Sequence, residues 1–289
     1  MRERKLPRLA IFSHPQRQHV AEAVEEFKEF ARGKAEIAAS CGIKDCSTDV
    51  LNNCDFAVVF GGDGSIISAA RNLSQSRMPM IGVNLEKLDF LAESSVGEFK
   101  KFFNDIISGK VPIERRMMLS CKVFSSSAPS QQRFSSSAVN DVFITAGPLH
   151  RMIELKVVVD GQPIAGCVGD GLIISTPTGS TAYNLAAGGP ILAVSMEAMV
   201  ITPICPHSLS FRPIVISANS KVEVFCVRVS SGTTISIDGQ DSIGLSVDDV
   251  IKVEREKSVF LVVNNPIRTR WDTLATKLGW AETPKYERD

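Results

Sequence analysis

The texture of this chain changes near residue 117, and that change constrains the fold more than any single motif. Before it, short apolar runs at residues 9–12, 56–60 and 80–83 alternate with stretches of helical spacing at 20–32, 65–73 and 96–107. Val20, Val24, Phe27 and Phe30 fall on one stripe of the first stretch, as an amphipathic helix requires. Strands alternating with helices through right-handed crossovers build an open, Rossmann-like α/β sheet whose ligands sit at its carboxyl edge. After residue 117, period-two runs at 155–159, 221–225, 233–237 and 250–253 predict the strands of an all-β, sandwich-like domain. Asp160-Gly161 and Asp238-Gly239 read as hairpin turns, and residues 125–137 are so serine-rich that they read as a mobile loop between two strands. Residues 271–280 return to helical spacing. The expected organisation is α+β overall: an α/β domain at 1–116, a β-rich domain at 117–268 and a C-terminal helical segment at 269–289.

Two segments offer a phosphate-bearing ligand access to the main chain. Gly61-Gly-Asp-Gly64 closes the apolar run at 56–60. Glycines there permit positive φ and bring backbone N–H groups close to a ligand, and the helix start behind them carries a partial positive charge. Asp63 by itself repels phosphate. It either accepts a proton from an attacking hydroxyl, holds a divalent cation against the phosphates, or simply N-caps the helix. Downstream, Gly171-Leu-Ile-Ile-Ser175 reads as a buried strand and Thr176-Pro-Thr-Gly-Ser-Thr181 as a hydroxyl-rich turn, a chemistry that suits a sugar and its phosphates. Tyr183 adds a flat ring, and Gly188-Gly189-Pro190 ends the short helical element that follows. Two such segments imply one shared site.

Composition narrows the class without adding specificity. A chain of 289 residues has room for two modest domains, and 32 basic against 32 acidic residues gives no charge bias toward nucleic acid or a membrane surface. Met1-Arg-Glu-Arg-Lys5 lacks the apolar core of a signal peptide, and no segment approaches ~18 uninterrupted apolar residues, so a cytoplasmic location is expected. The seven cysteines contain no C-x-x-C pair and read as reduced and mostly buried, with Cys41, Cys46 and Cys54 leaving redox sensitivity open. His14, His19, His150 and His207 are scattered and form no zinc set. P-loop, G-x-S-x-G and H-E-x-x-H signatures are absent from the sequence. A divalent ion would be held by carboxylates and substrate phosphates, as magnesium commonly is.

In order along the chain, Gly61-Gly-Asp-Gly64, Gly82-Val-Asn84, Arg116-Met-Met-Leu119, Asn140-Asp141, Arg151-Met-Ile-Glu154, the string from Asp170 to Tyr183, Ala187-Gly-Gly-Pro190, Thr202-Pro-Ile-Cys-Pro-His-Ser-Leu209, Arg212-Pro-Ile-Val215, Asp238-Gly-Gln240 and Lys277-Leu-Gly-Trp280 resemble the NAD kinases. These enzymes phosphorylate the adenosine-ribose 2′-hydroxyl of NAD to make NADP. The resemblance implies ATP and NAD as substrates, Mg2+ accompanying ATP, a homodimer or homotetramer, and a terminal helix that packs back on the first domain. It makes the first domain the nucleotide-binding one and the second the NAD-binding one. It assigns Asp63 as general base and sets Asp63, Gly64, Asn140, Asp141, Arg151, Asp170, Thr181, Ala182, Tyr183, Asn184, Leu185, Ala186 and Gln240 around the dinucleotide. Asn140 and Asp141 suit sugar or base edges, and Tyr183 can pack against a ring. Arg151 reads equally as a surface arginine, Asp238 as a turn residue, and His207 as loop geometry.

The sequence departs from the family where Glu86 and Asp89 replace glycines after Gly82-Val-Asn84, restricting φ and adding negative charge near the phosphates. Asp141 replaces a family glutamate and is one methylene shorter. Two rivals follow. A lipid or sphingoid kinase shares the Gly-Gly-Asp-Gly turn, although Asn140-Asp141 and the 176–183 string argue against it. A catalytically silent dinucleotide sensor would result if Glu86 and Asp89 spoil phosphate binding.

Overall fold

The computed structural model describes residues 6–14, 16–43, 45–46, 51–74, 76–85, 89–125, 128–148 and 152–279. The chain divides into two compact units, one formed by Met1–Glu114 with Leu261–Asp289 and the other by Arg115–Phe260.

The first unit alternates as its sequence predicts: β1 (Arg8–Ser13), α1 (Gln18–Ala31), β2 (Glu36–Gly42), β3 (Phe56–Phe60), α2 (Asp63–Leu73), β4 (Met80–Asn84), β5 (Ser94–Ser95) and α3 (Val96–Ile107). Strands β2, β1, β3 and β4 lie side by side in that order, all parallel. The apolar stripe of α1 buries Val20, Val24, Phe27 and Ala31, with Phe30 partly covered. These side chains meet Leu9, Ile11, Val58 and Phe60 of the sheet and Phe99 and Phe103 of α3. The Phe27 ring lies 5.0 Å from that of Phe99 and 5.7 Å from that of Phe60, and each buried phenylalanine contributes on the order of 1.5–3 kcal/mol. Helix α3 begins at the predicted residue because Ser95 and Glu98 form a reciprocal capping box.

Cys41 and Cys46 are joined in a disulfide, which corrects the expectation that all seven cysteines are reduced. The chain turns back after β2, so Cys46 returns to within 5.7 Å (Cα–Cα) of Cys41, a spacing at which a bridge closes. Of the five free cysteines, Cys121, Cys167 and Cys226 are buried, Cys54 is half-buried and Cys205 is exposed.

The second unit is built from β6 (Ile113–Ser125), β7 (Ala128–Ala138), β8 (Asp141–Thr145), β9 (Ile153–Val159), β10 (Gln162–Gly169), β11 (Gly171–Ser175), the four-residue α4 (Tyr183–Ala186), β12 (Ala198–Ile204), β13 (Ile214–Ser217), β14 (Val222–Arg228), β15 (Thr234–Ile237), β16 (Asp241–Gly244) and β17 (Val250–Val263). One antiparallel layer runs β10-β9-β14-β17 with β6 on β17 and β7 on β6; the other runs β13-β12-β11-β8-β15-β16. Leu119, Leu155, Val157 and Val224 of the first layer and Val142, Ile144, Leu172, Ile174, Ile201 and Ile235 of the second share one core, giving a β-sandwich. Strand β17 is long and runs on past Phe260 into the first unit, where its residue Val262 pairs in parallel with Met80 of the same unit.

The serine-rich stretch read as a mobile loop is largely strand β7, with Ser137 opposite Ser120 and Ser135 opposite Lys122. A ladder needs only backbone groups, and the small side chains find partners: the Ser137 hydroxyl donates to Glu256 at 2.9 Å and Ser136 to Asp241 at 3.2 Å. Both expected hairpin turns are present. Asp160 and Gly161 have φ of 50° and 80°, Asp238 and Gly239 have 53° and 65°, and both pairs join antiparallel strands.

After β17 the chain enters α5 (Arg270–Leu278), capped by a Thr269–Asp272 box at its start and a left-handed Gly279 at its end.

Candidate active site

In the first unit the site grows from the end of β3. Gly61 has φ of 153°, and its N–H donates to the Val83 carbonyl at 3.0 Å, which turns the chain into α2. Gly62 is the N-cap and Asp63 the first helical residue, so Asp63 is not the capping aspartate that one sequence reading allowed. Its carboxylate points elsewhere. Oδ1 accepts the N–H groups of Leu91 at 2.8 Å and Ala92 at 3.1 Å, and Oδ2 accepts that of Phe90 at 3.2 Å. Burial raises the Asp63 carboxyl above its ordinary range, and the nearby Asp89 carboxylate adds to this, outweighing the three N–H groups that favour its charged form. Among the described residues Oδ2 takes one N–H, which leaves it a lone pair with which Asp63 can still accept a proton.

Asp89 leans over the same turn. Its Oδ2 lies 3.4 Å from the Asp63 N–H nitrogen and 3.3 Å from the Asn84 amide, while Oδ1 takes the Lys277 ammonium of α5 at 2.9 Å. The charge expected at position 89 is therefore present but countered by a lysine 188 residues away in sequence. Glu86 lies outside the described residues. A cavity of about 460 Å³ opens beside the turn, lined by Arg17, His19, Gly61, Gly62, Asn84 and Asp89 among others. Gly64 is exposed on the first turn of α2.

In the second unit the site is one face of the six-stranded layer. Val142 and Ile144 of β8 face the core, so Asp141, Phe143 and Thr145 face the other way. Ser175 and Ile173 of β11 lie opposite Asp141 and Phe143 on one side, and Ser236 of β15 lies opposite Phe143 on the other. The Tyr183 ring stands edge-on to Phe143 with centroids 5.2 Å apart and remains 40% exposed. Phe143 escaped the sequence reading, although its i, i+2 relation to Asp141 on a strand was the signal that could have found it.

The Asn140-Asp141 segment is held by a residue read only as a turn former. Asp238 Oδ1 accepts the N–H groups of Asn140 at 2.7 Å and Asp141 at 3.1 Å, and Oδ2 accepts that of Val139 at 2.9 Å. Asp141 is 3% exposed, and burial, reinforced by the charge of Asp238, pushes its carboxyl up to about 7.

The hydroxyl-rich turn spends much of its chemistry on itself. Thr176 Oγ1 donates to the Val139 carbonyl at 2.6 Å and accepts from the Gly179 N–H at 3.0 Å, and the Ser180 hydroxyl donates to the Pro177 carbonyl at 2.7 Å. Asn184 is fully buried: its amide donates to the Ser180 and Pro190 carbonyls, and its oxygen accepts the Thr202 hydroxyl at 2.7 Å. These hydrogen bonds tie Asn184 into the loop, which it holds in place. Thr181, Ala182, Leu185 and Ala186 remain at least partly accessible around Tyr183. Gln240 is exposed on the turn after Asp238. Asp170 is not brought to Asn140-Asp141: it precedes Gly171, which pairs with Thr145, whereas Ser175 at the other end of β11 pairs with Asp141. Arg151 lies outside the described residues.

Residues 12–111 match the model of the ATP-NAD kinase N-terminal domain, and residues 139–264 match that of the ATP-NAD kinase C-terminal domain. The chain belongs to the ATP-NAD kinase family. Among relatives, it is 34% identical to an NAD kinase of Geotalea daltonii over 286 residues, covering 96% of this chain and 100% of that one. It is 40% identical to an NAD kinase of Geobacter sulfurreducens over 228 residues, 79% of each chain. Its fold is similar to that of an NAD kinase from Archaeoglobus fulgidus solved in complex with ATP, with TM-score 0.75 and 26% identity over 94% of this chain and 98% of that one. It also matches a yeast NADH kinase complexed with NADH, with TM-score 0.88 and 24% identity over 99% of this chain and 91% of that one, a likeness of fold. Membership in the ATP-NAD kinase family sets the lipid-kinase reading aside.

Proposed function

We propose that the protein transfers the γ-phosphate of ATP to the 2′-hydroxyl of the adenosine ribose of NAD, giving NADP and ADP. The observation that carries this reading is the Asp63 carboxylate: half-buried, less acidic than an ordinary carboxyl, held by three N–H groups and set on a glycine turn at the carboxyl edge of a parallel sheet. A secondary hydroxyl is a weak nucleophile, so it must be aligned with the phosphate and relieved of its proton. Asp63 accepts that proton. The turn at Gly61 and Gly62 and the start of α2 receive donor phosphate oxygens.

Asn140, Asp141 and Tyr183, with Phe143 supporting the ring, take the sugar and base edges of NAD. Thr181, Ala182, Leu185, Ala186, Gly64 and Gln240 complete the contacts, and Arg151 and Asp170 remain proposed contacts on the family resemblance. A Mg2+ ion would arrive on the donor's phosphates and be held mainly by them, with Asp63 the carboxylate at hand. Bound there, the ion would neutralise phosphate charge. The silent-sensor reading rested on uncompensated charge in the 86–89 loop, and Lys277 counters the part at Asp89.

A cytoplasmic homodimer or homotetramer is the further proposal. Among the described residues no helix is long and apolar enough to cross a membrane, and the edge strand β13 exposes Ile214 and Val215, a surface a second copy can cover. Enzymatic detection of NADP from NAD and Mg-ATP tests the activity, and light scattering tests the assembly. Purified protein that forms no NADP would refute the first, and a monomer at working concentration the second.

A further inference from the structure

Lys277 enters the reading so far only as the partner that counters Asp89, yet it stands at the glycine turn. It sits in the last turn of α5, and the position of that helix is fixed without help from Lys277's own partner. Arg268, just before α5, donates to Glu98 of α3 at 2.8 Å, Asn265 donates to the Glu93 carbonyl at 3.0 Å, and the helix is capped at both ends. Lys277 therefore remains in place whether or not Asp89 does.

Asp89, by contrast, holds the turn loosely. Its contacts to the Asp63 N–H and the Asn84 amide, at 3.4 and 3.3 Å, lie at the long limit for hydrogen bonds. A Cβ built on Gly62 would stand 2.9 Å from Asp89 Oδ2, so the carboxylate lies where the absence of a side chain lets an anion approach. The Lys277–Asp89 pair is itself partly solvated, with 26% and 34% of the two side chains exposed, and such pairs break at little cost. A terminal phosphate carries up to two negative charges against the carboxylate's one and competes for the same N–H groups.

We propose that Lys277 binds a donor phosphate, and that Asp89 is a resident stand-in for that phosphate which must release the lysine when the donor arrives. This rests on the kinase reading above and adds a residue from the C-terminal helix to it. The ammonium supplies a compact point charge beside the turn, and Asp89 becomes a latch that weakens donor binding until displaced.

A double-mutant cycle separates this from a lysine that merely neutralises Asp89. Calorimetric titration of Mg-ATP, without NAD, is made on the wild type, Lys277→Met, Lys277→Arg, Asp89→Asn and the Lys277→Met/Asp89→Asn pair, each checked for an unchanged melting profile. Lys277→Met is expected to weaken ATP binding by about tenfold, Lys277→Arg to restore most of it, and Asp89→Asn to tighten it, all less so at high salt. The loss from Lys277→Met must persist in the Asp89→Asn background. A loss that vanishes there, or Arg and Met variants that bind alike, overturns the proposal, and a variant that unfolds is replaced by Lys277→Gln in the same cycle. NADP formation by the wild type is scored separately, so an inactive wild type that binds ATP through Lys277 would refute the kinase reading and leave this one standing.

Discussion

At the scale of single residues, two carboxylates do different work because their surroundings differ. Asp63 is raised by burial while three N–H groups orient it, so it is both fixed and basic enough to accept a proton. Asp63→Asn can keep two of those N–H bonds on its oxygen, but its NH2 group would face the Phe90 N–H, at a cost of about 1–3 kcal/mol in stability. Turnover should fall by about 10²-fold or more while the fold persists, as circular dichroism and single-turnover kinetics would report. Asp141 makes a prediction in pH. Its folded pKa of about 7 lies above the ordinary 3.8, so the folded protein holds this proton more tightly than the unfolded chain. The resulting stability is full below the lower value and is lost as pH rises through the upper one. The stability of the wild type minus that of Asp141→Asn should therefore decline from about pH 4 to about pH 7. Urea titrations across that range read it, and a constant difference would contradict the assignment.

At the scale of elements, the two units use one device: a carboxylate from a distant segment clamps three consecutive backbone N–H groups, Asp63 on 90–92 in the first and Asp238 on 139–141 in the second. Removing the second clamp by Asp238→Ala should raise the NAD KM more than the ATP KM, because the Asn140-Asp141 segment loses its mould. Asn140→Ala should split the two constants the same way, and equal losses for both substrates would place the segment outside NAD recognition. Asn184→Ala should instead act on stability, by about 2–4 kcal/mol, since it strands the Thr202 hydroxyl and the Ser180 and Pro190 carbonyls; a chemical denaturation midpoint close to wild type would refute the holding role.

These elements also mark what the sequence could show. Strand β3 and helix α3 occupy the residues that apolar runs and helical spacing indicate, because local pattern and burial agree there. The serine stretch of β7 does not, because its pairing with β6 is a backbone matter that composition hides. Nor could the hydroxyls of Thr176 and Ser180, or the amide of Asn184, be sorted into spent and available groups. Their partners are carbonyls brought near by folding. Asp89 was visible as an intruding charge, whereas Lys277 as its partner was not, since nothing local joins residues so far apart.

At the scale of the whole molecule, the chain leaves the first unit after residue 114 and returns to it at residue 261. Each unit has its own core and carries its own share of the candidate site residues. The disulfide belongs to the first unit and yields a simple count. Thiol titration of the unfolded, unreduced protein should find five reactive cysteines, and seven after reduction; seven without reductant would mean that Cys41 and Cys46 are not bridged in solution. The most direct test of the account is NADP formation from NAD and Mg-ATP by the purified wild type beside Asp63→Asn. The account predicts steady NADP production by the wild type and a rate lower by about 10²-fold or more in the variant. A wild type that makes no NADP, or a variant that keeps near-normal turnover, would contradict it.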